Sequence, residues 1–208
     1  MLEQSHPIWV LLSPGQIPLW LKISYTLFVG LLAPVYWAQY GPGNFLWFSD
    51  VALLTTVPAL WLESPLLASM MALAVALPQL AWNVDFFARL IAGASLTGLS
   101  GYMFDPKISL LIRALSLFHI ALPILLLWML YRLGYDSRAL VAQTLLAWMV
   151  LLVSYLFAER SDNVNWVYGF GNKPQTWMPA PLYLALLMIM FPVVIYLPPH
   201  LLFKWILA

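Results

Sequence analysis

The sequence has no cysteine. That excludes disulfides, thiolate-ligated metals, a cysteine nucleophile and S-palmitoylation. Charge is nearly as scarce: 8% of the 208 residues are Asp, Glu, Lys or Arg, against about 25% in a soluble domain. Such a chain cannot cover a water-facing surface. The net charge is +1 and no cluster of Lys or Arg occurs, so there is no argument for a nucleic-acid partner and none for a tail that docks on anionic lipid. A glycine-rich phosphate loop is missing as well. The amino terminus, Met1-Leu-Glu-Gln-Ser-His-Pro7, lacks the charged segment, short apolar core and small-residue cleavage site of a removable signal peptide, so the first long apolar run is expected to act as the insertion signal.

What is present suits lipid. Hydrophobic types make up 63% of the chain, arranged in long continuous runs instead of the short alternating strands of a barrel. In hydrocarbon every backbone amide must be paired internally. The expected fold is therefore all-α: one polytopic transmembrane domain of six to seven spans. The apolar runs predict spans near 17–38, 44–62, 65–82, 86–103, 108–131, 139–158 and 181–207. The fourth is the weakest, being rich in Gly, Ala and Ser. Short connections force antiparallel neighbours. The exception is Glu159 to Pro179, a polar and aromatic loop that is either functional or an interfacial belt of Trp and Tyr. With seven spans, Lys22, Lys107, Arg113, Arg160 and Lys173 fall on the N-terminal side (end A). Arg89, Arg132, Arg138 and Lys204 fall on the opposite side (end B). That even split leaves the orientation open.

Ionisable or strongly polar groups inside spans are costly and mark structure or function. The candidates are Ser49 and Asp50 in the second span and Arg89 at the start of the fourth. His119 and Arg113 lie in the fifth, Gln143 and Ser154 in the sixth, and His200 near the end. Gln79 and Asn83 share a helix face at i, i+4. Seven antiparallel spans place Asp50, Gln79, Asn83, Arg89, Gln143 and His200 toward end B, His119 near mid-membrane, and Ser154 and Arg113 toward end A. A structural reading pairs Asp50 with Arg89 or His200. A functional reading makes Ser49 a nucleophile, His119 its base and Asp50 the orienting acid, although the helical rise separates Ser49 and His119 by about 6–7 Å in depth. His6, His119 and His200 have no ligand partner at i, i+3 or i, i+4, so neither a metal nor another cofactor is expected. Prolines inside spans, Pro34, Pro58, Pro78, Pro123 and Pro192, either kink helices for packing or open a cavity.

Three short motifs carry a resemblance. Asn44-Phe-Leu-Trp-Phe-Ser-Asp50 resembles the second-span motif of bacterial YwaF-like integral membrane proteins, whose animal relatives include androgen-induced hydrolases of fatty-acid esters and a transmembrane acyltransferase. Ser116-Leu-Phe-His119 with Pro123 is similar to the mid-chain His span of that superfamily. Asn163-Val-Asn-Trp-Val-Tyr168, Lys173-Pro174 and the stretch from Pro179 to Tyr183 resemble the segment before the last span. The resemblance implies a compact helical bundle in a bacterial cytoplasmic (inner) membrane, action on lipid acyl esters, His119 as the family His and Asn165 within a ligand-facing stretch. Trp47 stands where the hydrolases carry Thr, leaving Ser49 as the nearby hydroxyl. The alternatives are a non-catalytic lipid- or pigment-binding protein, an accessory subunit that pairs with another membrane protein or with its own copies, and a small transporter.

Overall fold

The computed structural model describes residues 17–171 and 174–207. His6 and Lys173 lie outside the described residues. The regular structure among them is all helical, with helices α1 (Leu19–Tyr40), α2 (Phe48–Trp61), α3 (Pro65–Ala92), α4 (Leu110–Leu115), α5 (Phe118–Leu133), α6 (Ala139–Phe157), α7 (Ala180–Met190) and α8 (Leu197–Leu207). A π-helical turn, Phe191–Tyr196, joins α7 to α8. Five units are long and apolar enough to cross a membrane: α1, α3, Leu110–Leu133, α6 and Ala180–Leu207. α2 is apolar too, but its 14 residues rise only about 21 Å.

Lipid is the solvent of the outer face. Ile91 is 82% exposed and Trp205 83%, an exposure that water would penalise at every such residue and hydrocarbon does not. The core is a single apolar cluster running through the bundle, with Leu53, Met71, Leu122, Met129 and Leu151 fully buried. A smaller one, Trp82, Phe86 and Met103, sits at the far end of α3.

The run near 86–103 is not a span. α3 continues through Ala92 as a helix of 28 residues and stops at Gly93, in the left-handed region at φ 68°, where only glycine is free of Cβ strain. Residues beyond it return in turns, including the 3-10 turn Gly101–Phe104. Polar residues after Trp82 suggested a helix end, but their side chains find partners inside the protein and the helix runs on. α3 opens by the expected chemistry, with Pro65 in its first turn and Ser64 Oγ accepting the Leu67 N–H at 3.3 Å.

Without a separate helix over 86–103, the elements downstream run in the direction opposite to that expected. At end A, Lys22 meets Glu63, the Asp136 N–H reaches Ser69 Oγ at 3.0 Å, and the Tyr135 hydroxyl meets His200 Nδ1 at 2.7 Å. At end B, Tyr36 meets Ser116 and Asn165 reaches Leu46.

Two of the prolines are accommodated by donors from neighbouring helices. Pro123 has no N–H for the His119 carbonyl, and Asn83 Nδ2 supplies one at 2.9 Å. Pro192 likewise leaves the Met188 carbonyl without its helical donor, and Trp148 Nε1 on α6 reaches it at 2.7 Å. Just beyond, the Leu197 N–H bonds to the Pro192 carbonyl five residues back, the spacing of a π turn.

Candidate functional site

The polar side chains fall into two groups. Gln143 and His200 are at end A, opposite the position expected for them, because α6 and the last span run the other way. Gln143 Nε2 donates to the Tyr196 hydroxyl at 3.4 Å. His200 is held by Tyr135, whose phenol is pushed up to about 12 by burial and by neighbouring Asp136. Asp136 itself is kept below the usual carboxylate range by its bonds to Arg138.

The rest lie between the middle of the bundle, where Gln79 and His119 sit near the midpoints of Pro65–Ala92 and Leu110–Leu133, and end B. Arg113 and Ser154 lie toward end B, not end A. Asp50 is buried and accepts from Asn44 Nδ2 at 3.3 Å and from Ser49 Oγ at 3.2 Å. Neither Arg89 nor His200 pairs with it. Arg89 instead lies over the Phe104 ring, 4.9 Å from its centroid. His119 stacks between Trp82 and Phe118, with centroids 4.7 and 4.2 Å away. Its Nδ1 meets Gln79 Oε1 at 2.9 Å. Gln79 and Asn83 therefore do share a face, and it is turned to His119. Ser49 and His119 are not joined by any of the described hydrogen bonds.

Tyr36 and Ser116, hydroxyl to hydroxyl at 2.7 Å, link α1 to the α4–α5 junction. The turn at Gly101–Phe104 places Tyr102 against Trp82, centroids 6.4 Å apart, and lets the Met103 carbonyl accept from Arg113 Nη1 at 3.4 Å. Around this turn three buried side-chain nitrogens lack a partner: Gln79 Nε2, Trp82 Nε1 and Arg113 Nε. The Tyr102 hydroxyl lies close to the indole nitrogen without completing a bond. An open groove of about 470 Å³ between α1 and α4 includes Pro34, Ala38, Ser109 and Ile112.

Two residues of structural weight were not among the candidates: Asp85, outside every motif, and Asn163, the first residue of the third. Asp85, fully buried, accepts the Leu96, Thr97 and Gly98 N–H groups on one oxygen and both the N–H and hydroxyl of Ser100 on the other, at 2.6–3.0 Å. Asn163 holds its own loop, donating to the Gly169 and Gly171 carbonyls at 2.7 and 2.8 Å and accepting the Tyr168 N–H at 2.9 Å. The Ser-Gly-Thr-rich run after Gly93 was the available sign of Asp85's role, since such segments present free N–H groups.

Asn165 is placed differently from a ligand-binding residue. Its Oδ1 accepts the Phe48 N–H at 3.1 Å and its Nδ2 donates to the Leu46 carbonyl at 2.7 Å, so it completes the start of α2. Among the described residues no group of three or more His, Cys, Asp or Glu could hold a metal ion. Comparison with protein-family models, with curated proteins and with solved structures finds no match to this chain.

Proposed function

We propose that this chain is a six-span membrane protein that binds an amphipathic ligand by its polar group at end B, without covalent chemistry. The sixth span is α2, completed by the 3-10 turn Pro42–Leu46 before it. The observation that carries the binding role is the set of buried nitrogens without partners at Gln79, Trp82 and Arg113. Buried polar groups are nearly always satisfied, and each exception costs about 1–3 kcal/mol. A site that collects three of them beside a lipid-facing groove suits a ligand that brings acceptors. A bacterial cytoplasmic membrane is the proposed setting, on the strength of the motif resemblance.

Ester hydrolysis has less support. The Ser49 hydroxyl donates to Asp50 and His119 Nδ1 is engaged by Gln79, so the Ser–His pair that the hydrolase reading needs is not formed. A fluorophosphonate probe is expected to leave the purified protein unlabelled. The binding role is tested by mass spectrometry of the protein purified from its membrane in a neutral maltoside detergent. One lipid-like molecule per chain, depleted in Trp82→Phe, is the expected result. Detergent alone in both proteins would overturn it.

A further inference from the structure

The balance of donors and acceptors at end B specifies more than a polar ligand. The indole Nε1 of Trp82 and the guanidinium Nε of Arg113 can only donate, and both are buried without a partner. Most acceptors around them are already taken, the Tyr102 hydroxyl beside the indole being the exception. The His119 carbonyl receives Asn83, Gln79 Oε1 meets His119, the Met103 carbonyl receives Arg113 Nη1, and Ser116 meets Tyr36. Of the acidic side chains nearby, Asp85 is saturated by the 96–100 turn, Asp50 is tied to Asn44 and Ser49, and Asp105, just past the Gly101–Phe104 turn, accepts the Lys107 N–H. An ammonium brings only donors and would leave these nitrogens unpaired, and a hydroxyl offers a guanidinium only an uncharged acceptor. A headgroup that only accepts would satisfy the nitrogens already there.

We propose that the corner formed by α3, α4 and the turn Gly101–Phe104 binds the anionic headgroup of an amphiphile, a carboxylate or a phosphate monoester. The tail leaves along the groove between α1 and α4, whose Ser109 and Ile112 stand within one helical turn of Arg113. The proposal rests on the binding role given above and adds the chemical class of the ligand.

The test titrates purified full-length protein, in neutral maltoside detergent, with octanoate, octyl phosphate, octanol and octylamine, and follows thermal unfolding. At least one anion is expected to raise the midpoint saturably, with octanol and octylamine inactive. A shift by octanoate alone or by octyl phosphate alone supports the proposal and tells a carboxylate from a phosphate. Trp82→Phe, which keeps an aromatic ring, and Arg113→Gln should each weaken the apparent Kd about tenfold. Octanol matching the anions, or both variants binding as wild type does, overturns the anionic site while the broader binding role stands. No shift with any of the four compounds overturns both. The preference for anions over octanol is read on the wild-type protein, so a variant that fails to fold does not decide the outcome.

Discussion

Asp85 carries a negative charge within the end of a membrane helix, and every one of its described partners lies in the turn that follows that helix. A carboxylate with only donors around it is stable where a carboxamide is not, because the amide would turn an NH₂ toward N–H groups. Asp85→Asn is expected to lower unfolding stability by about 3 kcal/mol or more, measured by denaturant titration of helical circular dichroism in neutral detergent; a change under a third of that would contradict the anchor. Glu63 acts at the other end, outside the spans, accepting from Lys22 Nζ at 2.7 Å and from the Ile17 N–H at 3.0 Å. Partial burial pushes its carboxyl up, but the bonds to Lys22 and Ile17 outweigh this and hold it below its ordinary value. A folded-state pKa below the unfolded one gives stability that is present in full above the ordinary glutamate pKa and is lost as pH falls through the lowered value. Melting temperatures should therefore fall on acidification, and Glu63→Gln should flatten part of that fall. Superimposable pH profiles would remove the pair from the account. Side-chain pairs within one helix were legible in the sequence, as Gln79 and Asn83 show, because the 3.6-residue repeat alone puts them together. Asp85 was not, because its partners are backbone groups whose direction depends on how a loop folds back.

Each helix here is stabilised in part by another. α2 is the clearest case, since its first turn has no side-chain cap of its own and takes Asn165 from the loop before the last span. Asn165→Ala removes an acceptor from the Phe48 N–H and a donor from the Leu46 carbonyl, and should cost about 1–2 kcal/mol. Hydrogen exchange should rise at residues 46–50 ahead of the rest of the bundle, whereas uniform exchange would show that the cap is dispensable. Trp148→Phe, which strands the Met188 carbonyl beside Pro192, should cost about 0.6 kcal/mol, the average for such bonds within membranes. The prolines were visible in the sequence as interruptions, yet not the donors that answer Pro123 and Pro192, which come from earlier helices, 36 and 40 residues before the carbonyls they reach. The loop from Glu159 to Pro179 was correctly singled out as unusual. Its buried asparagines give it a structural task that neither an aromatic belt nor a ligand-facing stretch anticipates.

For the whole molecule, composition alone fixed the solvent and the helical class, and hydropathy located most of the spans. The apolar run near 86–103 is partly continuous with α3 and forms no helix of its own, so Gln143, His200, Arg113 and Ser154 lie at the ends opposite to those that seven antiparallel spans assign them. The absence of cysteine makes the topology directly measurable. Thr97, Ser137 and Ser161 are exposed loop residues. In a six-span bundle, Thr97→Cys and Ser161→Cys should react with a membrane-impermeant maleimide from one face of the membrane and Ser137→Cys from the other. A protected Thr97→Cys would restore the seventh span. The reach of Asn165 to Phe48, 117 residues along the chain, also bears on biogenesis. Synthesis runs from the amino terminus, so α2 emerges from the ribosome long before the side chain that closes its first turn. Until then the first turn of that short helix lacks its acceptor, and the cap closes only once the 163–168 loop has been made.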